Sequence, residues 1–183
     1  MPAKILEFLS AYARTSLEPS EAAMVAETQR FIASEPACLW RTCAPGHLTG
    51  SAWIVDRSRS RTLLTHHLKL AKWLQLGGHA DGDGDLLAVA MREGREESGL
   101  TTLRPVTGKI FDVDRHWIPA RQTEPAHWHY DVRFMLEADP AEPLVRAVHE
   151  SKELAWVDVT RVTALNPEES MARMVRKTLA LLG

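Results

Sequence analysis

The chain has 183 residues, of which 45% are hydrophobic and 25% are charged, and it carries a net charge of -2. Such values are typical of a soluble globular protein with one main domain; they exclude a disordered chain and argue against a strongly basic surface for nucleic acids. No apolar run reaches the roughly eighteen residues of a membrane span. Because Cys38 and Cys43 fit neither a redox pair nor a zinc framework, we expect a cytoplasmic protein in a reducing compartment.

Residues 1–35 predict two helices that are separated near Pro19. One apolar stripe at helical spacing comprises Ile5, Phe8, Leu9, Tyr12 and Ala13, and a second comprises Met24, Val25, Thr28, Phe31 and Ile32. Ser20 is a candidate N-cap for the second helix. We expect an N-terminal helical extension that packs on the main domain as an extra layer or forms a homodimer contact; a substrate lid is the alternative.

Strand-like runs dominate the chain after residue 47. Two apolar runs on either side of the polar turn at residues 56–61 predict the first two strands. Further strands are expected at residues 102–111, 127–137 and 153–159. The chain closes with a predicted helix, for which Asn166 is the candidate cap and Pro167 suits the first turn. The proline-containing stretch 118–126 is expected to be a long loop that forms a wall of the substrate pocket.

The most informative stretch runs from Gly78 to Leu100 and reads GHADGDGDLLAVAMREGREESGL. It predicts a helix that follows a Gly/Asp loop, is capped by Asp83 or Asp85, and is ended by Gly99. On that helix three glutamates share one face at spacings of three and four residues: Glu93, Glu96 and Glu97. Like charges at these spacings repel by roughly 0.2–0.5 kcal/mol per pair, so a compensating cation is expected. A hard divalent ion such as Mg²⁺ takes carboxylate oxygens.

This stretch resembles the signature of the Nudix hydrolase superfamily, Gx5Ex7REUxEExGU, in which U is a bulky aliphatic residue. The residues that match at the family spacing are Gly78, Arg92, Glu93, Glu96, Glu97, Gly99 and Leu100. Two positions depart from the signature, since Gly84 stands in place of its first glutamate and Gly94 in place of an aliphatic residue. The resemblance implies the α/β class, a Nudix α/β/α sandwich with a mixed β-sheet, expected over residues 36–183 behind the extension of residues 1–35.

The resemblance also implies a metal centre and a hydrolytic reaction. The ligands that it implies for Mg²⁺ or Mn²⁺ are Glu93, Glu96, Glu97 and a backbone carbonyl of Gly77 or Gly78. Arg92 would hold one glutamate in position rather than touch the substrate. The general base is left open between a signature glutamate and a carboxylate from a later loop, for which Glu150 and Glu153 are the candidates.

Eight histidines include several near the expected site. The segments around His47 and His79 resemble those of isopentenyl diphosphate isomerase, a Nudix-fold relative in which histidines and glutamates bind a metal. That isomerase also relies on a cysteine just before its Gly-His pair, a position that is Gly77 here, so isomerase activity is a minority interpretation. His47 and His79 could nevertheless hold a transition metal such as Zn or Fe, because imidazole suits these ions better than it suits Mg²⁺.

Cationic side chains for the substrate phosphates are less strongly marked. The candidates are Lys69, Lys72, Arg41 and Arg133. The resemblance to Nudix enzymes implies a hydrolase that cleaves the diphosphate linkage of a nucleoside diphosphate linked to another moiety X, or of a similar small organic pyrophosphate. We expect a small-molecule phosphoanhydride as partner, and neither nucleic acid nor membrane. A non-catalytic Nudix-like ligand sensor is the alternative that the departure at Gly84 leaves open.

Overall fold

The computed structural model describes residues 2–15, 17–120 and 125–182, of which residues 2–13 form the first helix. The helices are α1 (Pro2–Ala13), α2 (Pro19–Ser34), α3 (Leu86–Ser98), α4 (Val162–Leu165) and α5 (Glu169–Ala180). The strands are β1 (Gly46–Val55), β2 (Arg61–His67), β3 (Trp73–Leu74), β4 (Leu76–His79), β5 (Arg104–Pro105), β6 (Asp112–Ile118), β7 (His127–Glu137) and β8 (Ser151–Asp158). Within the described residues, no helix combines the length and apolar character needed to cross a lipid bilayer.

The chain divides into two compact units, which are described separately. The first comprises residues 1–51, 78–89 and 108–134, and the second comprises residues 52–77, 90–107 and 135–183. The boundary expected between residues 35 and 36 does not coincide with a boundary between these units. The division into an extension and a main domain therefore stays a prediction.

The second unit contains β2, β3, β5 and β8 and the last residues of β1 and β7. The strand order is β3-β2-β1-β7-β5, and β8 pairs with β2 in antiparallel fashion. The strands β1 and β7 run parallel. Near their starts, in the first unit, the amide of Trp128 donates to the carbonyl of Pro45, and at their ends, in the second unit, the amide of Ala138 donates to the carbonyl of Val55. The pairs β1–β2, β2–β3 and β5–β7 are antiparallel, so the sheet is mixed, as expected. The helix α5 packs here through Met171 and Met174, which are fully buried.

In the first unit, β6 and β7 form an antiparallel ladder in which Asp112 faces Arg133, Asp114 faces Asp131 and His116 faces His129. Side chains alternate between the two faces of a strand, so these six polar residues point to the same face of the ladder. Most of them are nevertheless buried or half-buried. This buried polar face carries many of the groups described below.

The two N-terminal helices pack within the first unit, which confirms that residues 1–35 form two helices. The hydroxyl of Tyr12 donates to the carbonyl of Phe111 at 2.7 Å. The ring of Phe31 stacks on that of Tyr130 with 4.0 Å between centroids. The predicted cap at Ser20 is wrong, because α2 already begins at Pro19, whose fixed φ and missing N–H suit the first helical position.

The helix α3 begins and ends as the sequence predicts. The carboxylate of Asp85 accepts a hydrogen bond from the amide of Ala88 at 3.1 Å, which is an N-cap contact. Gly99 adopts a φ of 74° just past the last turn, a left-handed conformation that glycine adopts without strain. Asp83 supports the same turn by accepting from the amide of Asp85 at 2.8 Å.

Two other predicted elements differ from the structure, and a third lies partly outside the described residues. The strand expected at residues 102–111 is reduced to Arg104–Pro105, since Pro105 cannot donate a ladder hydrogen bond and irregular backbone follows it. The last helix begins at Glu169, because the Asn166 side chain instead accepts from the amide of Glu168 and donates to the carbonyl of Trp73. In the loop expected at residues 118–126, residues 121–124 lie outside the described part of the chain.

Candidate functional site

The carboxylates of α3 differ sharply in exposure. The Glu97 residue is 7% exposed, and the Glu93 side chain is 15% exposed, whereas the Glu96 side chain is 61% exposed. Glu93 and Glu97 are one helical turn apart, so they occupy the same side of the helix. The structure therefore presents two sheltered carboxyl groups and one that is in contact with water.

Glu97 lies in the most restrictive environment of the three. Its Oε2 accepts a hydrogen bond from the backbone amide of Gly77 at 3.2 Å. Its carboxyl group is also hydrogen-bonded to the carboxyl group of Glu150, from the segment that precedes β8. Burial and, to a smaller extent, the neighbouring Glu150 together raise the pKa of Glu97 to about 9, although the Gly77 amide opposes the shift. Without a cation, this carboxyl group holds a proton at neutral pH.

Arg92 bridges the other two glutamates. Its Nη1 lies 2.6 Å from Oε1 of Glu93 and 3.5 Å from Oε2 of Glu96. Burial raises the pKa of Glu93, and the positive charge of Arg92 partly opposes that rise. The guanidinium of Arg92 is thus engaged with glutamates of its own helix, and the positioning role expected for it stays a prediction.

Glu150 and Glu153, the two candidates for the general base, occupy different surroundings. Glu150 reaches the carboxyl group of Glu97, and its backbone carbonyl accepts from the amide of Leu68 at 2.7 Å. Glu153 lies within β8 opposite His66, and its side chain is exposed. The structure thus brings Glu150, but not Glu153, to the glutamates of α3.

Histidines of the first unit form a second cluster. The rings of His47, His127 and His129 each offer a nitrogen, and the three nitrogens lie within 4.8 Å of one another. The ring of His79 lies beside them, with its centroid 4.8 Å from that of His47 and 5.1 Å from that of His129. Among the described histidines, the group whose ring nitrogens lie this close together does not include His79. The sequence instead suggests His47 and His79 as the ligands of a transition metal.

The imidazoles of His47 and His129 are held in the neutral form. Burial, with smaller contributions from the neighbouring His79 and His127, lowers the pKa of His47 to about 3. Burial also lowers the pKa of His129, with a smaller contribution from His116. A neutral imidazole can present a nitrogen lone pair, which is the form that binds metal ions.

The sequence reasoning missed a buried charged network on the same face of β7. Arg133 is 2% exposed, and its guanidinium contacts Asp131 at 2.7 Å, Asp112 at 3.1 Å and Asp114 at 3.3 Å. Asp131 also accepts hydrogen bonds from the hydroxyl of Ser51. Burial alone would lower the pKa of the guanidinium, but the three aspartates, with Asp131 foremost, raise it. The signal for this network is the alternation of polar residues along β7 and β6.

A family model for the NUDIX domain matches residues 47–178 of the chain. The chain belongs to the NUDIX family. No curated protein sequence matches it closely enough to count as a relative. Family membership identifies the protein as a Nudix-type hydrolase that acts on pyrophosphate linkages, as the signature resemblance implies.

Solved structures of Nudix proteins share this fold. An Ap4A hydrolase from C. elegans superposes with a TM-score of 0.59 at 17% identity, covering 74% of this chain and 96% of that one. A NUDIX-family hydrolase from Clostridium perfringens has a TM-score of 0.54 at 25% identity, covering 74% and 97%. The E. coli dihydroneopterin triphosphate pyrophosphohydrolase has a TM-score of 0.54 at 17% identity, covering 71% and 92%. The likeness confirms the expected α/β Nudix fold.

One departure from the Nudix signature has a packing explanation. A Cβ atom at Gly94 would lie 2.9 Å from Cδ2 of Leu103 and 3.5 Å from side-chain atoms of Ala52 and Ile54. The inner side of α3 therefore has no room for the aliphatic residue that the signature places there. At the other departure, Gly84, the neighbouring Asp83 and Asp85 each accept one backbone hydrogen bond at the start of α3.

The predicted phosphate-binding side chains of this Nudix protein differ in their local surroundings. The exposed Arg41 forms a bidentate pair with Asp81, with its Nε 2.8 Å from Oδ1. Lys72 pairs with Glu168, and Lys69 is exposed in the turn that follows β2. Arg133 is buried against three aspartates, which argues against its contacting substrate phosphates. Gly78 lies in β4, and its carbonyl as a metal ligand stays a prediction.

Proposed function

We propose that this Nudix hydrolase is metal-dependent and cleaves the diphosphate linkage of a nucleoside diphosphate linked to a moiety X, or of a similar small organic pyrophosphate. The observation that carries the proposal is the sheltered group of carboxyls around Glu97. Ordinary helix packing does not favour a buried glutamate beside a second carboxyl group, because both lose hydration and repel each other when ionised. A ligand that compensates negative charge makes sense of that arrangement.

The donor atoms of this group fit a hard divalent cation. Glu93 and Glu97 supply sheltered oxygens, Glu96 supplies an exposed one, and Glu150 lies within hydrogen-bonding reach of Glu97. All are carboxylate oxygens, which Mg²⁺ and Mn²⁺ prefer over nitrogen or sulfur. We therefore assign Glu93, Glu96 and Glu97 as the residues that would hold Mg²⁺ or Mn²⁺. Such an ion, when bound, would acidify water and offset negative charge on the phosphate oxygens.

The residues of the chain supply the remaining functions. A carboxylate oxygen of Glu150 would accept the proton of the attacking water, and the interaction of Glu150 with Glu97 supports this role. Arg92 keeps Glu93 oriented through the 2.6 Å contact and is thus a positioning residue. Lys69, Lys72 and Arg41 are the exposed cations that remain candidates for the substrate phosphates.

The test is to incubate the purified full chain with Mg²⁺ or Mn²⁺ and a panel of nucleotide sugars, dinucleoside polyphosphates, NADH and oxidised nucleotides, with products separated by chromatography. For a substrate that is cleaved, we expect Glu97→Gln to lower kcat by about 10²-fold or more, because it removes a charged group at the reacting centre. Glu7→Gln is the matched control, since Glu7 is exposed on α1. Near-normal turnover by a folded Glu97→Gln protein would contradict the proposal.

The same panel separates the alternative functions. Gly84, which stands where the signature has its first glutamate, favours a ligand sensor as the second candidate, and binding without product in every metal would support it. Conversion of isopentenyl diphosphate to its isomer would instead support the isomerase interpretation, which Gly77 disfavours by lacking a thiol. Chromatography of each mixture, paired with calorimetric binding, distinguishes these outcomes.

A further inference from the structure

The histidine cluster of the first unit is built by two strands. His127 and His129 alternate on β7 and therefore point to one face, and His47 is the second residue of β1. The three ring nitrogens lie within 4.8 Å of one another. Two nitrogens that contact one zinc ion at about 2.1 Å in tetrahedral geometry lie about 3.4 Å apart, so small side-chain rotations suffice to close the cluster on an ion.

The orientation of His127 directs a lone pair toward its neighbours. Its Nδ1 lies 2.8 Å from the carbonyl oxygen of Pro125. Since a carbonyl oxygen only accepts, Nδ1 carries the proton and Nε2 is left as the acceptor. That Nε2 lies 3.1 Å from Nε2 of His129. A backbone carbonyl that fixes the outer nitrogen in this way is the usual support of a metal-binding histidine.

His47 provides the independent observation. The residue is 1% exposed, and within the described part of the chain neither of its ring nitrogens has a hydrogen-bond partner. Burying a polar ring without partners is unfavourable, and proteins seldom keep such a group unless a ligand completes it. Its ring centroid lies 4.7 Å from those of both His127 and His129.

We propose that His47, His127 and His129 bind a transition-metal ion of the Zn²⁺ type through three imidazole nitrogens. Imidazole favours Zn²⁺ and its neighbours in the first transition row over Mg²⁺, so this donor set selects a different ion from the carboxylates of α3. Three protein ligands leave one position of a tetrahedral ion open to water or to an oxygen of a substrate. The proposal does not depend on the hydrolase activity proposed above.

Nearby groups help to hold the ligands in place. Asp131 follows His129 at the next alternate position of β7, and its carboxylate accepts hydrogen bonds from Arg133 and from the hydroxyls of Thr49 and Ser51. Thr49 and Ser51 in turn occupy the alternate positions of β1 that follow His47. These contacts tie the ligand-bearing segments of β1 and β7 together. The three imidazoles thus belong to a rigid, hydrogen-bonded face rather than to loops.

The test uses the full chain after any bound metal has been removed with a chelator and the chelator itself has been dialysed away. Titration with Co²⁺, a coloured substitute for Zn²⁺, is followed by visible absorption, and competition with Zn²⁺ gives the affinity. The variants are His47→Gln and His129→Gln, with the exposed His149→Gln as the matched control. Each titration is repeated in Glu97→Gln, which disables the carboxylate cluster, and circular dichroism checks the fold of every variant.

We expect one Co²⁺ per chain with a tetrahedral absorption spectrum, displaced by Zn²⁺, in the original protein, in His149→Gln and in Glu97→Gln. His129→Gln, whose position is only half-buried, should fold and bind at least about tenfold more weakly. Equal affinity and spectrum in His129→Gln, or loss of the ion in Glu97→Gln but not in the histidine variants, would overturn the proposal. Failure of the hydrolase assay would leave these metal titrations unaffected, so the two proposals are tested separately.

Discussion

The carboxyl group of Glu97 is hydrogen-bonded to the carboxyl group of Glu150, a residue from a distant part of the chain. Burial and this neighbour raise the pKa of Glu97 to about 9, so its carboxyl group keeps a proton at neutral pH when no metal is present. The relationship links the helix that carries the Nudix signature to the segment that precedes β8. It also distinguishes Glu150 from Glu153, which are equivalent candidates for the general base when only the sequence is known.

The first prediction concerns those two glutamates. We expect Glu150→Gln to lower kcat by about 10²–10⁴-fold with little change in KM, because a general base acts on the chemical step. Glu153→Gln should behave like the original protein, since its side chain is exposed and away from Glu97. Steady-state kinetics on a cleaved substrate measures both. Equal losses in the two variants would remove Glu150 from this role.

The second prediction concerns pH. The folded-state pKa of Glu97 is about 9, above its ordinary value of 4.5. Between these values the folded protein holds a proton that the unfolded chain has released, so the stabilisation is complete below the lower value and is lost as the pH rises through the upper one. We expect the free energy of unfolding of the metal-free protein to fall between about pH 6 and about pH 9.

Urea titrations in the presence of EDTA measure this fall. The raised pKa of Glu93 acts in the same direction, so part of the slope should persist in Glu97→Gln. A pH dependence that is identical in the original protein and in Glu97→Gln would show that Glu97 does not hold the proton. Added Mg²⁺ should stabilise the protein most at the alkaline end, where the carboxylates are already ionised.

The third prediction compares how much the buried Arg133 and the exposed Arg41 contribute to the free energy of unfolding. We expect Arg133→Met to cost about 3–5 kcal/mol of unfolding free energy, because it leaves buried aspartates without their partner. Arg41→Met should cost less than about 1 kcal/mol, since the pair with Asp81 is exposed. Chemical denaturation of both variants gives the comparison. Similar costs would mean that the Arg133 network contributes little to folding.

The fourth prediction concerns Gly94. A Cβ atom there would lie 2.9 Å from the end of the Leu103 side chain. We expect Gly94→Val to destabilise the protein by about 1–3 kcal/mol through overpacking. Gly94→Ala should be nearly neutral, because a gain of about 0.5–1 kcal/mol in helix stability offsets a contact that the flexible Leu103 can relieve. Thermal unfolding of both variants is sufficient, and a more stable Gly94→Val would refute the packing explanation.

The elements that the sequence predicts well are those set by local chemistry. The cap at Asp85, the end at Gly99 and most strands follow from turn residues and side-chain periodicity, which act over a few residues. The short β5 and the delayed start of α5 depend on hydrogen bonds to distant residues, such as the contact of Asn166 with Trp73. Those contacts override local preference and cannot be read from a single segment.

The candidate sites show the same limit. The alternation of His127 and His129 on a predicted strand is visible in the sequence and places both rings on one face. Their meeting with His47 depends on how distant strands pair, which no local pattern specifies. Similarly, Arg133 is indistinguishable from a surface cation until its register opposite Asp112 is known.

The stacking of Phe31 on Tyr130 gives the N-terminal helices a wider significance. Tyr130 lies between His129 and Asp131, and successive residues of a strand point to opposite faces, so the aromatic pair covers the reverse side of the strand that bears the imidazoles. A chain shortened by its first two helices would expose that apolar backing to water. The three imidazoles would then be held less firmly at their present spacing, although none of the deleted residues is among the proposed ligands.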